Sequence, residues 1–236
     1  MGRPGPDLAA LVLADGRFPI GGHVHSAGVE SAVADGRVHD LATLEAFVVG
    51  RLHTVGLTDA ALSAATVVHV EPLAADPSAA AAVLAAVDAE ADVRAVVPAL
   101  RSSSRKLGRQ LVRVAGRCWP AVVLVQLAEV FPTGAHVSVA LGAVAVAAGM
   151  DAPAVAALSL FHAVTTPTNA AVRLLGLDPF AVAALTVTLG GVAEAVAAEA
   201  VAAAHGPLRD LPARTAPIID IAANEHPRRD LRLFAT

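Results

Sequence analysis

Residues 17–30 read RFPIGGHVHSAGVE and gather three glycines, two histidines and one acid within fourteen positions. Gly21, Gly22 and Gly28 allow turns or close backbone approaches that a side chain would block, and Pro19 fixes the entry. Four chemistries suit such a stretch: a phosphate-cradling loop, a metal site through His23 and His25, a catalytic histidine turn, or a shaped corner that starts a docking helix. A phosphate loop needs glycines followed by a lysine and a hydroxyl at a helix start, and neither GxxxxGK[ST] nor GxGxxG occurs anywhere in the chain. His23 and His25, two apart, can offer both imidazoles to one metal only in an extended or turn conformation. No HExxH motif supports them, and the other histidines, at 39, 53, 69, 136, 162, 205 and 226, are scattered. Structural roles for His23 and His25 therefore stand beside a transient metal contact. Serine catalysis lacks a GxSxG elbow, and Ser26 reads as a capping or turn residue.

The most ordered charge pattern is Arg101, Arg105, Arg109, Arg113 and Arg117, spaced by four. On a helix these stack along one side, drifting about 40° per step. Leu100, Leu107, Leu111 and Val114 form the opposing apolar stripe. The ladder is either a solvated or internally paired basic face, or a docking face for an acidic protein partner. Nucleic acid is disfavoured, because no aromatics interleave with the arginines and the formal net charge is −4.

These residues must be held by a scaffold, and 236 residues suffice for one large domain with a sizeable core. The chain is 56% hydrophobic, mostly alanine and valine, with one Trp and no Tyr. Small residues at that density suit closely packed helices. A lone Cys118 excludes an intrachain disulfide framework and a Cys-rich zinc site, and fits a reducing, cytoplasmic setting. Residues 130–150 and 152–172 are uncharged for about the length of a membrane span, yet they carry prolines, histidines and Asn169, and alanine contributes little to insertion; no membrane role is expected.

Helix signals run through the chain. Asp7 can cap a short helix whose Leu8, Leu11 and Val12 share a face, ended by Gly16. A second helix is predicted from Ser26 to about Ala34, with Glu30 in its first turn and Gly36 as its stop. Asp40 starts a stronger one through Leu41, Leu44, Phe47, Val48, Leu52 and Val55. Thr58 and Asp59 open another toward His69, and Asp76-Pro77 introduces an alanine-rich run to about Ala91. Pro98 begins a long helix ending near Gly116, and further helices start near Gln126, His136, Ala152 and Pro179. No period-two pattern with hairpin turns appears. The fold class is all-α, a single domain of roughly nine or ten helices without sequence repeats.

The tail from Gly206 changes character. Prolines 207, 212, 217 and 227 break any long helix, and arginines alternate with acids. It closes on Leu231, Arg232, Leu233 and Phe234, apolar residues costly to leave in water, so the tail either folds back on its own core or docks on another protein.

The twelve residues 19–30 resemble the P-[VI]-G-x-[FH]-x-[HY]-S-x-G-[LV]-E signature of the urease accessory protein UreF family in order and spacing. The likeness continues in residues 105–111, in 136–149, in Asn169-Ala-Ala-Val-Arg173, and in Ile218-Ile-Asp-Ile with Leu231-Arg-Leu-Phe234. The resemblance implies an all-helical, dimer-forming protein with no catalytic centre and no stably bound cofactor. In that family the protein binds the accessory protein UreD (also called UreH) and recruits the GTPase UreG. The assembly delivers nickel to apo-urease while GTP is hydrolysed on the partner GTPase. By the same likeness, partner-binding residues would be Gly21, Gly22, His25, Ser26, Gly28 and Glu30 of the corner, Arg105, Arg109 and Gln110, Arg173, and the tail residues Leu231, Arg232, Leu233 and Phe234, with UreD on the tail. Two departures stand out: His23 occupies a position where an aromatic is common, and residues 176–180 (GLDPF) replace a frequent P-L-G-Q run. A stand-alone metal-dependent hydrolase using His23, His25 and Glu30, and a helical interaction module of an unrelated pathway, are the rival readings.

Overall fold

The structure, a computed structural model, describes residues 5–16, 18 and 25–225. Helices account for its regular structure, and no strand occurs among the described residues. In chain order they are α1 (Pro6–Ala14), α2 (Val29–Ala34), α3 (Leu41–Arg51), α4 (Leu57–Val70), α5 (Pro77–Arg94), α6 (Pro98–Cys118), α7 (Val122–Val130), α8 (Val137–Ala148), α9 (Ala152–Leu175), α10 (Pro179–Thr188), α11 (Gly190–Ala204) and α12 (Pro217–Glu225). The sequence expectation of an all-α domain is met. The two helices it did not foresee arise where Leu189 bends the run after Pro179 and where Pro217 starts a helix inside the tail.

Helix α4 is the axle. It packs against α5, α8, α9 and α11, and its residues are buried on every side, Ala60, Ala61, Ala64 and Ala65 among them. Alanine lets neighbouring backbones come close, and Gly142 of α8 closes the remaining gap. A Cβ there would lie 2.4 Å from Thr66 Cβ and 2.6 Å from the Ser63 carbonyl oxygen. The Ser63 hydroxyl shares its proton between the Asp59 and Ser138 carbonyl oxygens, each 2.9 Å away, so the α4–α8 contact has a polar pin within it.

Several local rules hold. Asp40 accepts from the Thr43 N–H at 2.8 Å in a reciprocal capping box, and Asp76 and Asp151 cap α5 and α9 by accepting from the Ala79 and Ala154 N–H groups. Others are overruled. At α1 the N-cap is Gly5 and Asp7 merely occupies the first turn; Ala9 and Leu13 face α9, leaving the expected apolar face, Leu8 and Leu11, 54% and 69% exposed. The expected break at Thr58 and Asp59 is absent. A π turn, Leu52–Gly56, carries α3 directly into α4, and burial of α4 all round supplies the stability that caps would otherwise give.

Among the described residues no single helix is long and apolar enough to cross a membrane; the bent pair α10 and α11 passes that test by length and composition only.

Candidate functional site

Of the corner residues, Gly21, Gly22 and His23 lie outside the described residues; His25, Ser26, Gly28 and Glu30 are placed. Ala27 and Gly28 both adopt the left-handed region, at φ +52° and +87°, so α2 starts at Val29 and not at Ser26. Gly28 is needed twice over: for its φ, and because a Cβ would lie 3.0 Å from Ile219 Cγ2 of α12. Ser26, Val29, Glu30 and Ser31 are buried. Burial also holds the half-enclosed His25 below its ordinary pKa, hence neutral. The described part of this corner is thus a seat for the chain's own C-terminal helix.

The tail is held before it reaches that seat. Arg94, at the end of α5, donates to the backbone carbonyls of Pro212 (3.0 Å), Leu211 (2.8 Å) and Arg209 (3.3 Å), and pairs with Glu90. Thr58 Oγ1 donates to the Arg214 carbonyl at 3.2 Å, and Arg214 pairs with Glu199 at 2.8 Å. Helix α12 then lies across α2 and α6, with Ile218 and Ile221 each 60% exposed. Fold-back, one of the two alternatives for the tail, holds for the described portion; Leu231, Arg232, Leu233 and Phe234 lie outside it.

The arginine ladder of α6 divides. Arg105 belongs to an internal network: its guanidinium reaches Asp88 at 3.0 Å, Asp92 at 2.9 Å and the Gly134 carbonyl at 3.0 Å, and lies 6.0 Å from the Phe131 ring centroid. Asp88, itself buried, accepts the His136 backbone N–H at 2.7 Å, while the His136 ring bridges Ser104 and Asp92 at 3.1 Å each. The hydrogen bond from Arg105 holds the Asp92 carboxyl below the usual carboxylate range, with His136 adding to it. Gly108 and Gly134 make this crossing possible, since a Cβ on either would come within 2.2 Å of a facing carbonyl oxygen. Arg101 is likewise occupied, donating to the Ala95 carbonyl at 2.7 Å. Arg109, Gln110, Arg113 and Arg117 are exposed, and α6 contains no acid. Arg173 is exposed at the end of α9. Beyond it the GLDPF departure is a compact helix-to-helix turn: Gly176 at φ +64° closes α9, and Asp178 accepts from the Phe180 N–H at 3.0 Å to open α10.

Sequence reasoning did not foresee a cavity of about 360 Å³ between α2, the α3–α4 rod, α6, α8, α9 and α12. Arg51, Asp59, His162, His25 and Asp220 line it. The π turn creates part of it. Residues 51 and 59 would point about 80° apart on an unbroken helix, and one inserted residue rotates the second back by about 100°, bringing the two nearly into line. Burial pushes the Asp59 carboxyl up to about 6, with Arg51 opposing the rise, and burial lowers the Arg51 guanidinium. Among the described residues no group of three or more His, Cys, Asp or Glu side chains is placed to hold a metal ion. The corner histidine that is described, His25, is therefore not part of a described chelate.

Comparison with known proteins bears on what this arrangement serves. The UreF family profile matches residues 38–190. The urease accessory protein UreF of Mycolicibacterium vanbaalenii is 44% identical over 227 residues, and that of Mycobacterium sp. strain JLS is 42% identical over 226, each alignment covering 96% of this chain and 97% of the relative. UreF of Mycobacterium tuberculosis strain H37Rv is 40% identical over the same share. The family name denotes an accessory protein and not an enzyme, which sets aside the hydrolase reading of His23, His25 and Glu30. A profile spanning well over half of the chain and relatives alike from end to end place the chain in the UreF family of urease accessory proteins.

Proposed function

We propose that this chain is the adaptor of a urease-maturation complex: it binds a UreD (UreH) protein, recruits the GTPase UreG, and lets the assembly insert nickel into apo-urease at the expense of GTP hydrolysed on the partner. The observation that carries this reading is identity of 40–44% to UreF proteins along 96% of the chain, which leaves no room for a separate catalytic domain within the aligned length. The chain works as a homodimer in the cytoplasm, binds no nucleic acid or membrane, keeps no cofactor of its own, and meets nickel only in transit. Two surfaces suit protein contacts: the acid-free cationic side of α6 at Arg109, Arg113 and Arg117, and α12 with its exposed isoleucines, which leads toward Leu231, Arg232, Leu233 and Phe234.

The test is co-expression with UreD, UreG and apo-urease. Omitting this chain should abolish nickel-dependent urease activity and the co-purification of UreG with UreD. Deleting residues 231–236 should remove UreD from the pull-down while helix content stays near that of the full chain. Full urease activation without the chain would overturn the reading.

A further inference from the structure

We propose that the cavity beneath α12 is a binding site for a small α-amino acid, its carboxylate on Arg51 and its ammonium group against Asp59 and His162. The inference starts from groups that the fold encloses without satisfying. Arg51 Nε is buried and has no hydrogen-bond partner, and neither Arg51 nor Asp59 forms an ion pair within 4.0 Å among the described residues. His162 Nε2 is likewise buried and has no hydrogen-bond partner. Burial keeps the ring neutral, and in the tautomer protonated on Nδ1 this Nε2 is a lone pair that needs a donor.

The three groups together specify a ligand. Arg51 requires an acceptor, and a planar guanidinium matches a carboxylate best. Asp59 and the His162 lone pair both require donors, which an ammonium group supplies three at a time. A simple anion would satisfy Arg51 but leave His162 orphaned and meet repulsion from Asp59; a simple cation would face Arg51. The other cations of the wall are already taken, Arg94 by Glu90 and Arg214 by Glu199. His136 is engaged by Ser104 and Asp92, and the remaining acid of the wall, Asp220, is carried by α12. A volume of about 360 Å³ falls in the small-molecule range, and Leu107, Leu111 and Leu141 offer an apolar end for a side chain. The site is built rather than incidental. The π turn aligns Arg51 with Asp59, and it is locked by Gly56, where a Cβ would lie 3.0 Å from the Arg51 carbonyl oxygen and 3.3 Å from Leu160 Cδ2, two residues before His162.

The experiment is isothermal titration calorimetry of the full chain with three probes: L-leucine, isoamylamine, which lacks the carboxylate, and 4-methylvalerate, which lacks the ammonium group. Leucine should bind, and each analogue should bind at least about tenfold more weakly, the loss expected for a charged hydrogen-bonding group. Arg51→Gln and Asp59→Asn should each weaken leucine binding by a similar factor, with circular dichroism reporting their fold. Affinity for leucine should fall from pH 7 to pH 5 as Asp59 takes up a proton, whereas that for 4-methylvalerate should not. Absence of leucine binding at millimolar concentration, or 4-methylvalerate binding as tightly as leucine, overturns the proposal. The probe series on the unaltered chain decides the matter even if a variant fails to fold.

Discussion

Asp88 is the carboxylate on which the α5–α6–α8 junction turns, and replacing it gives the sharpest test of how that junction is held. In Asp88→Ala the His136 backbone N–H loses its acceptor in a buried setting, a loss of about 1–3 kcal/mol. Arg105 loses one of its two carboxylates but keeps Asp92 and the Gly134 carbonyl, so its share is smaller than for a fully orphaned cation, about 1–2 kcal/mol. The sum, about 3 kcal/mol and at most about 5, matches the range for breaking a buried charged pair. For a chain of this length it corresponds to a fall in Tm of roughly 6–12 °C. Asp88→Asn keeps an oxygen for His136 and should cost about 1–2 kcal/mol.

Urea unfolding at pH 7, followed by far-ultraviolet circular dichroism with the m value held unchanged, measures both. A cycle with Arg105→Met should show a coupling of at least about 1 kcal/mol. The reasoning fails if Asp88→Ala costs less than about 1 kcal/mol, or if it costs no more than Asp88→Asn, since the His136 N–H would then not depend on this carboxylate.

Three further outcomes are expected. Gly28→Val places a β-branched residue at φ +87° and against Ile219; it should destabilise by about 2 kcal/mol and speed hydrogen exchange in α12 more than in α8, and uniform exchange would refute the seat. Asp59→Asn should stabilise the chain at pH 7. The folded pKa of about 6 lies above the unfolded value near 4, so the native state holds the extra proton between those values and stability declines as pH rises through that window. Removing the group should flatten the decline and recover about 1–3 kcal/mol, and a loss of stability at pH 7 would contradict it. Arg109→Glu with Arg113→Glu and Arg117→Glu reverses an exposed face that carries no ion pair among the described residues; stability should change by less than about 1 kcal/mol while capture of the UreG or UreD partner falls, and unchanged capture would remove α6 from the docking surface.

What the sequence discloses here depends on how local the cause is. Caps at Asp40 and Asp76 and the stop at Gly36 were readable because each is settled within one turn of chain. The four-residue arginine spacing identified α6, but not that Arg101 and Arg105 turn inward while Arg109, Arg113 and Arg117 stay out. That division is decided for Arg101 by the Ala95 carbonyl, and for Arg105 by acids on α5 and a loop carbonyl at Gly134, 29 residues away. The glycine-rich corner was readable as backbone geometry. Its occupant was not, because Ile219 lies nearly two hundred residues downstream of Gly28, and only the folded chain brings it to 3.0 Å of the position a Cβ would take.

The misplaced helix start at Thr58 and Asp59 shows how the cavity could have been suspected. An acid after an apolar run reads as a cap, since caps are the commonest reason for an acid there. The residues on either side argue otherwise: Leu57, Ala60, Ala61, Leu62, Ala64 and Ala65 cover every side of a helix, so no face remains for water. An acid in such a run has to meet something inside the protein, and the cation eight residues earlier, Arg51, is a quarter turn out of phase unless the helix gains a residue. The glycine at 56, the only residue in Leu52–Gly56 without a Cβ, marks where that gain occurs. The α3–α4 rod takes an irregular turn at Leu52–Gly56 and places two opposite charges on the wall of one cavity, with no ion pair between them among the described residues; the proposed amino-acid ligand accounts for that arrangement, which helix stability alone does not.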